Sequence, residues 1–252
     1  MTAAWLRPLE AALDAAPAPV TFFFRDDDAG WADARLTTLL DVFARREVPL
    51  DLAAIPVCVT PPLARALLAR AERTQPLAIH QHGYLHVSHE REGRRCEFGP
   101  GRSAAAQRAD IAAGRRRLEQ LFGEALEPVF TPPWNRCTET TGACLVELGI
   151  GVLSRDRTAA PLALDGLAEL PVRVDWFAKR KGVMLGRTAV GAQLAARAAE
   201  PAPLGVMLHH AEMEDEDMAA VGDLLDVVCA HESARCLSMA AVLEETTLEC
   251  AS

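Results

Sequence analysis

Val20-Thr21-Phe22-Phe23-Phe24-Arg25-Asp26-Asp27-Asp28-Ala29-Gly30 opens on β-branched and aromatic residues and closes on one cation and three carboxylates. Residues 20–24 read as a strand, and that strand runs directly into the charged cluster. The same junction recurs along the chain. Residues 77–79 run into His80-Gln81-His82, and residues 128–130 into Thr131-Pro132-Pro133-Trp134-Asn135. Residues 170–174 run into Asp175-Trp176, and residues 204–208 into His209-His210. Five apolar strands thus end in polar or aromatic clusters, always at the carboxyl end. In parallel α/β folds those ends gather on one face, and active sites form there.

Between the strands the apolar period lengthens. Leu36, Leu39, Leu40 and Phe43 share one face of a predicted helix over 33–46. Further helices are expected over 61–73, from a Ser103 cap to near Gly123, over 139–148, over 216–230 and over 239–246. Additional strands are expected over 50–55 and near 151–154. Repeated strand–helix alternation with short connections predicts a parallel sheet covered by helices, either open or closed into a barrel. The polar segment 87–103, with Gly93, Gly99, Pro100 and Gly101, is a long loop of the kind that often carries function. No repeat and no linker divides the 252 residues, so residues 1–252 are expected to form one domain.

Composition narrows the class. The chain is 50% hydrophobic and 24% charged, which is globular. Its 26 basic and 35 acidic residues give a net charge of −9, with no basic excess to suggest nucleic acid or an anionic membrane. Seven cysteines at 58, 96, 137, 144, 229, 236 and 250 include no C-x-x-C pair and read as reduced thiols of a cytoplasmic protein. The start lacks the layout of a secretory signal, and no apolar stretch predicts a membrane span. Nothing in the pattern sets an oligomeric state.

His82-Gly83-Tyr84-Leu85-His86 places two histidines four apart. On a helical turn both imidazoles would face one side and share a metal ion, with a carboxylate from the aspartate cluster as third ligand. Three adjacent carboxylates repel one another, and a cation relieves that conflict. His80 and His89 read as supporting or surface residues, and His231 as surface. His209, at the end of an apolar strand, reads as an acid/base group.

These motifs, in this order from Arg25 to His210, resemble polysaccharide deacetylases of the NodB-homology kind. The resemblance implies a distorted (β/α) barrel of about seven strands. Phe24-Arg25-Asp26-Asp27-Asp28-Ala29-Gly30 stands where the family has T-F-D-D-G. Asp27 is then the general base and Asp28 a metal ligand, with Asp26/Asp27 the alternative register. His82 and His86 match the H-[ST]-x-x-H ligands, with Gly83 at the small-residue position. Thr131-Pro132-Pro133-Trp134 matches R-x-P-[YW] without its arginine, and the Trp134 N–H becomes the oxyanion donor. Asp175-Trp176 is a loose fourth motif. Val206-Met207-Leu208-His209 resembles L-x-L-H and implies His209 as general acid, its imidazole oriented by Asp175. Leu208 and Trp176 read equally as walls of a small pocket for an acetyl methyl or as plain core packing. Arg25, two residues from Asp27 on a strand, is expected to replace the missing arginine, with Arg136 the rival.

The implied activity is divalent-metal-dependent, most plausibly zinc-dependent, hydrolysis of an acetyl or similar acyl group from the amine of a sugar or related small molecule. Hydrolysis of another non-peptide C–N bond stays open, as does a metal- and sugar-binding homologue with impaired catalysis.

Overall fold

The computed structural model describes residues 2–73, 76–180 and 182–250. Its strands are β1 (Val20–Ala29), β2 (Leu50–Ala54), β3 (Leu77–His82), β4 (Leu126–Thr131), β5 (Val152–Leu153), β6 (Ala168–Glu169), β7 (Val172–Asp175), β8 (Lys179–Arg180), β9 (Val183–Met184), β10 (Leu204–Leu208) and β11 (Ala234–Cys236). Its helices are α1 (Arg7–Asp14), α2 (Asp33–Ala44), α3 (Pro61–Arg73), α4 (Ala104–Phe122), α5 (Glu139–Glu147), α6 (Arg187–Ala198), α7 (Asp215–Ala230) and α8 (Met239–Cys250).

The main sheet runs β6-β5-β4-β3-β2-β1-β10-β7, every neighbour parallel, and β11 joins the start of β1. β6 and β7 are consecutive pieces of one stretch. β6 pairs with β5, β7 pairs with β10, and Val172 also bridges Asp156 just beyond β5. Leu170 N donates to Leu153 O at 3.0 Å and Val172 N to Arg155 O at 2.9 Å. The sheet therefore returns on itself as a distorted barrel. With β6 and β7 taken together its wall has seven strands, as expected.

β1 shows why the barrel holds both a core and a site. Phe22 and Phe24 face outward into the main helix–sheet core, with Leu36, Leu39, Leu40 and Phe43 of α2. Phe23 faces inward and packs with Val129, Met207 and, from α8, Met239 and Val242. Arg25 and Asp27 continue the inward column by the two-residue period of a strand. Ser103 caps α4 as expected, its Oγ accepting from Ala106 N at 3.3 Å.

Two helices were not expected. In α1, Leu9 and Leu13 follow the buried Leu6 at helical spacing; in α6, Val190, Leu194 and Ala198 do the same. The two helices pack on each other. Alanine-rich flanks dilute their apolar stripes in the sequence. The antiparallel hairpin β8–β9 was also unexpected. The 87–103 segment is indeed a loop. Among the described residues no helix is long and apolar enough to cross a membrane.

Gly205 of β10 sits opposite Phe23, and a Cβ there would lie 2.2 Å from the Phe23 ring. Gly205→Ala is expected to cost about 1–3 kcal/mol through overpacking. Urea unfolding checks this: an unchanged midpoint means the interior relaxes freely around the methyl.

Candidate active site

Arg25 and Asp27 form a bidentate pair inside the barrel. Nε donates to Asp27 Oδ1 at 2.8 Å and Nη2 to Oδ2 at 3.0 Å. Nη1 donates to Ser154 Oγ at 2.8 Å and Nη2 also to Asn135 Oδ1 at 2.8 Å. Arg25 has no exposed surface. Burial raises the pKa of Asp27, but Arg25, His82 and His209 outweigh it and hold the carboxyl below the usual range. Arg136 points elsewhere, donating to Arg95 O at 2.8 Å. The geometry thus puts Arg25, not Arg136, beside Asp27.

In a regular strand Asp28 would face away from Asp27. Instead the β1–β2 ladder slips between Asp26 and Ala29, and Asp28 takes a left-handed φ of 71°. A bulge of this kind re-aims a side chain. Asp28 Oδ1 lies 3.2 Å from His82 Nε2 and 3.1 Å from His86 Nε2. Neither contact has hydrogen-bond geometry, and this oxygen is buried without a hydrogen-bond partner.

His82 ends β3. Its Nδ1 lies 3.0 Å from Thr131 O, and a carbonyl only accepts, so the proton on Nδ1 orients the ring and Nε2 faces Asp28. His86 lies in a loop at φ 56°, not on the helical turn that the spacing predicts. Trp31 and Trp134 flank it, each ring 4.7 Å away. The buried Glu97 shapes this loop by accepting from Leu85 N at 2.7 Å and Tyr84 N at 3.3 Å. Gly83, at φ 56°, has no room for a side chain: a Cβ would lie 2.3 Å from Glu97 Oε2 and 2.6 Å from the Pro133 ring. Glu97 stood in the long polar loop, where nothing in the sequence marks it.

The ligand atoms of Asp28, His82 and His86 lie within 4.8 Å of one another. Two imidazole nitrogens, one carboxylate oxygen with no other partner and a ring fixed from behind fit a divalent ion that keeps open positions. Burial lowers the pKa of His82, but Asp28 and Asp27 more than reverse this. The pocket therefore favours positive charge.

Asp26 goes the other way. Its Oδ2 lies 2.6 Å from His210 Nδ1, and its Oδ1 accepts from His210 N at 2.9 Å. His210 Nε2 lies 2.7 Å from Trp31 O. Both ring nitrogens face acceptors, so the imidazolium form fits. Burial lowers the pKa of His210, but Asp26 overrides this and it rises to about 9. Asp26 is thus committed outside the site, and the Asp27/Asp28 register is the one the geometry assembles. Only adjacency to His209 hinted at His210.

His209 Nε2 lies 3.9 Å from Asp27 Oδ2. Asp175 lies nearby but does not hydrogen-bond the imidazole; it accepts from Phe177 N at 2.9 Å. Burial raises the pKa of Asp175, and His209 only partly opposes the rise. The expected orientation of His209 by Asp175 therefore has no hydrogen bond behind it. Trp134 occupies the second position of the short 3-10 turn Pro133–Asn135, where a backbone N–H has no intrahelical acceptor.

Leu208 and Trp176 do not line the site. Both belong to the helix–sheet core, where Trp176 meets Trp5 edge-on at 6.0 Å and Arg187 covers its ring at 4.5 Å. His80 is buried with Nε2 2.9 Å from Thr131 Oγ1, and burial pushes its pKa down to about 3. His89 is exposed. His231 is half-buried, 3.2 Å from Asp14 Oδ1.

The fold is that of polysaccharide deacetylases and family 4 carbohydrate esterases. A candidate polysaccharide deacetylase from Mycobacterium smegmatis matches at 19% identity and TM-score 0.68, over 93% of this chain and 95% of that one. A family 4 acetyl xylan esterase from Clostridium thermocellum, in complex with a cobalt ion, matches at 12% identity and TM-score 0.60, over 90% and 92%. A family 4 pseudoenzyme from Bacillus anthracis matches at 13% and 0.60, over 91% and 66%. The sequence matches no protein-family model and no curated protein.

The Asp26–His210 pair makes stability pH-dependent. A pKa raised from 6.5 to about 9 stabilises the fold fully below pH 6.5, and the benefit is lost as pH rises through 9. The change is worth ~3 kcal/mol at 1.36 kcal/mol per pH unit. The stability gap between the native chain and His210→Gln should shrink by about that amount between pH 6 and pH 10. A constant gap in urea titrations across the range means that His210 is neutral.

Proposed function

We propose that this protein is a metal-dependent deacetylase acting on the N-acyl group of an amino sugar or related small molecule. One observation carries the reading: a buried carboxylate–histidine–histidine donor set stands beside a second buried carboxylate held ionised by an arginine, at the mouth of a deacetylase-type barrel. The fold alone does not argue for turnover, since one structural neighbour is a pseudoenzyme.

Asp28, His82 and His86 are the proposed ligands of a divalent ion, zinc by preference. When bound, such an ion polarises an acyl oxygen and acidifies water. Asp27 is the proposed general base. Its low pKa keeps it ready to accept a proton near neutral pH, and Arg25 fixes both of its oxygens. The Trp134 N–H is the proposed donor to the developing oxyanion. His209, its Nε2 3.9 Å from Asp27 Oδ2, is the proposed proton donor to the departing amine. Asp175 faces His209 as a nearby carboxyl and makes no hydrogen bond to it. The scattered free thiols support a reducing compartment, and we assign the protein to the cytoplasm.

Acetate release from N-acetylated sugars, with zinc or cobalt supplied, tests the activity. Asp28→Asn and His86→Ala should lose both metal and acetate release; Asp27→Asn should keep about one metal per chain and lose at least ~100-fold in turnover. Metal content unchanged in His86→Ala and Asp28→Asn overturns the ligand set. Release from a ureide or simple amide, with none from sugars, moves the protein to another C–N hydrolase.

Arg25→Lys and Arg25→Met separate charge from shape. Without the guanidinium the pKa of Asp27 rises, so the acid limb of the rate profile should move to higher pH, most in Arg25→Met. Arg136→Met should leave the profile in place. The reverse pattern would show that the supporting arginine had been misplaced.

A further inference from the structure

The site opens on one side into a cavity of about 560 Å³, which shares Trp134, Asn135, Asp175 and Met207 with it. That volume suits a sugar with a substituent. The rest of the lining is unusual for a chain of net charge −9. Six cations reach it: Arg94, Arg136, Arg157, Arg173, Lys179 and Arg197. Asp156 and Asp175 are the carboxylates of the lining, which leaves four positive charges.

Few of these charges are neutralised from outside. Arg173 and Arg197 share the single carboxylate of Glu200. Among the described residues no ion pair takes Arg94, Arg136, Arg157 or Lys179. Asp156 spends an oxygen on its own turn, accepting from Thr158 N at 2.8 Å. The cations also crowd one another: burial and then Arg94 lower the pKa of Arg136, while burial, Arg157 and Arg197 lower that of Arg173. Six segments supply them: the loop after β3 (Arg94), the turn after β4 (Arg136), the loop after β5 (Arg157), β7 (Arg173), β8 (Lys179) and α6 (Arg197). Convergence from separate parts of the chain onto one concave surface differs from an ordinary solvated face.

We propose that this cavity binds a phosphoryl or pyrophosphoryl group of the substrate. The substrate class is then an N-acyl amino sugar bearing a phosphate ester, not a neutral polymer. Arginine forks match phosphate oxygens in pairs. Three to four uncompensated charges match a pyrophosphate, whereas a single carboxylate leaves most of them unmet. The sugar's position between cavity and Asp27 rests on the deacetylase reading; the anion site does not.

The test compares the full, metal-loaded chain with Arg94→Gln/Arg157→Gln, two exposed positions away from the proposed ligands and base. Arg65→Gln, on the outer face of α3, is the control. Isothermal titration with inorganic pyrophosphate should show affinity falling at least about tenfold in the double variant and unchanged in the control. Acetate release is then read on N-acetylglucosamine, its 1-phosphate, its uridine diphosphate ester and the same sugar on a short prenyl pyrophosphate. The ratio of kcat/KM for the best phosphorylated substrate over the neutral sugar should exceed about ten and drop toward one in the double variant. The last two arms separate a soluble nucleotide sugar from a lipid-linked one, and preference for either supports the proposal. Pyrophosphate binding that ignores the arginines, or equal turnover of neutral and phosphorylated sugars, overturns it. Arginine-dependent binding with no acetate release from any sugar keeps the anion site and sinks the deacetylase reading.

Discussion

A guanidinium sealed inside a barrel needs polar partners there, and those of Arg25 gather on the carboxyl-terminal face. Its partners come from separate strand ends: Asp27 on β1, Asn135 after β4, Ser154 after β5 and Met207 on β10. Removing one partner from a buried pair leaves an uncompensated charge, which costs far more than the pair contributes. The strand ends are therefore held in mutual register by one side chain. Ser154 extends the chain of bonds by donating to Leu170 O at 2.7 Å, across the seam where the barrel closes. The guanidinium that holds Asp27 ionised is thus tied, through Ser154, to the seam where the wall closes.

The three aspartates of β1 show how one strand serves three tasks. Alternation sends Asp26 outward to His210 and Asp27 inward to Arg25. The slip at Asp28 then breaks alternation and brings a second carboxylate to the mouth beside the histidines. The repulsion expected of adjacent carboxylates is dispersed because each meets a different cation or cation site. Thr131-Pro132-Pro133-Trp134 lacks the arginine of the R-x-P-[YW] pattern it resembles, and a guanidinium stands beside Asp27 from β1. Asn135, one residue beyond Trp134, bonds that guanidinium and so keeps the aromatic turn tied to it.

Charge at the level of the whole chain misdescribes the surface that matters. A net charge of −9 suggests no general affinity for polyanions, yet arginines from distant segments converge beside the site. Net charge is a sum without positions. Only the fold decides which charges become neighbours.

Much of the architecture was legible in the sequence because it is written in local periods. Apolar runs of period two and stripes of period 3.6 depend on nearby residues alone, and they marked most strands, most helices and the polar carboxyl ends. The candidate residues Asp27, Asp28, His82, His86, His209 and Arg25 all stood at those ends, so the face they share could be foreseen. What could not be foreseen depends on contacts across the chain. The positive φ of Asp28 decides which carboxylate meets the histidines, and a slip between β1 and β2 imposes it. His86 is held by Trp31, Trp134 and the Glu97-bound loop and not by a helix. Trp176 and Leu208 follow a site-like motif yet face the core, since facing direction depends on which sheet neighbour each strand finds. Periodicity is local and survives in the sequence; partnership across a hundred residues is created only when the barrel closes.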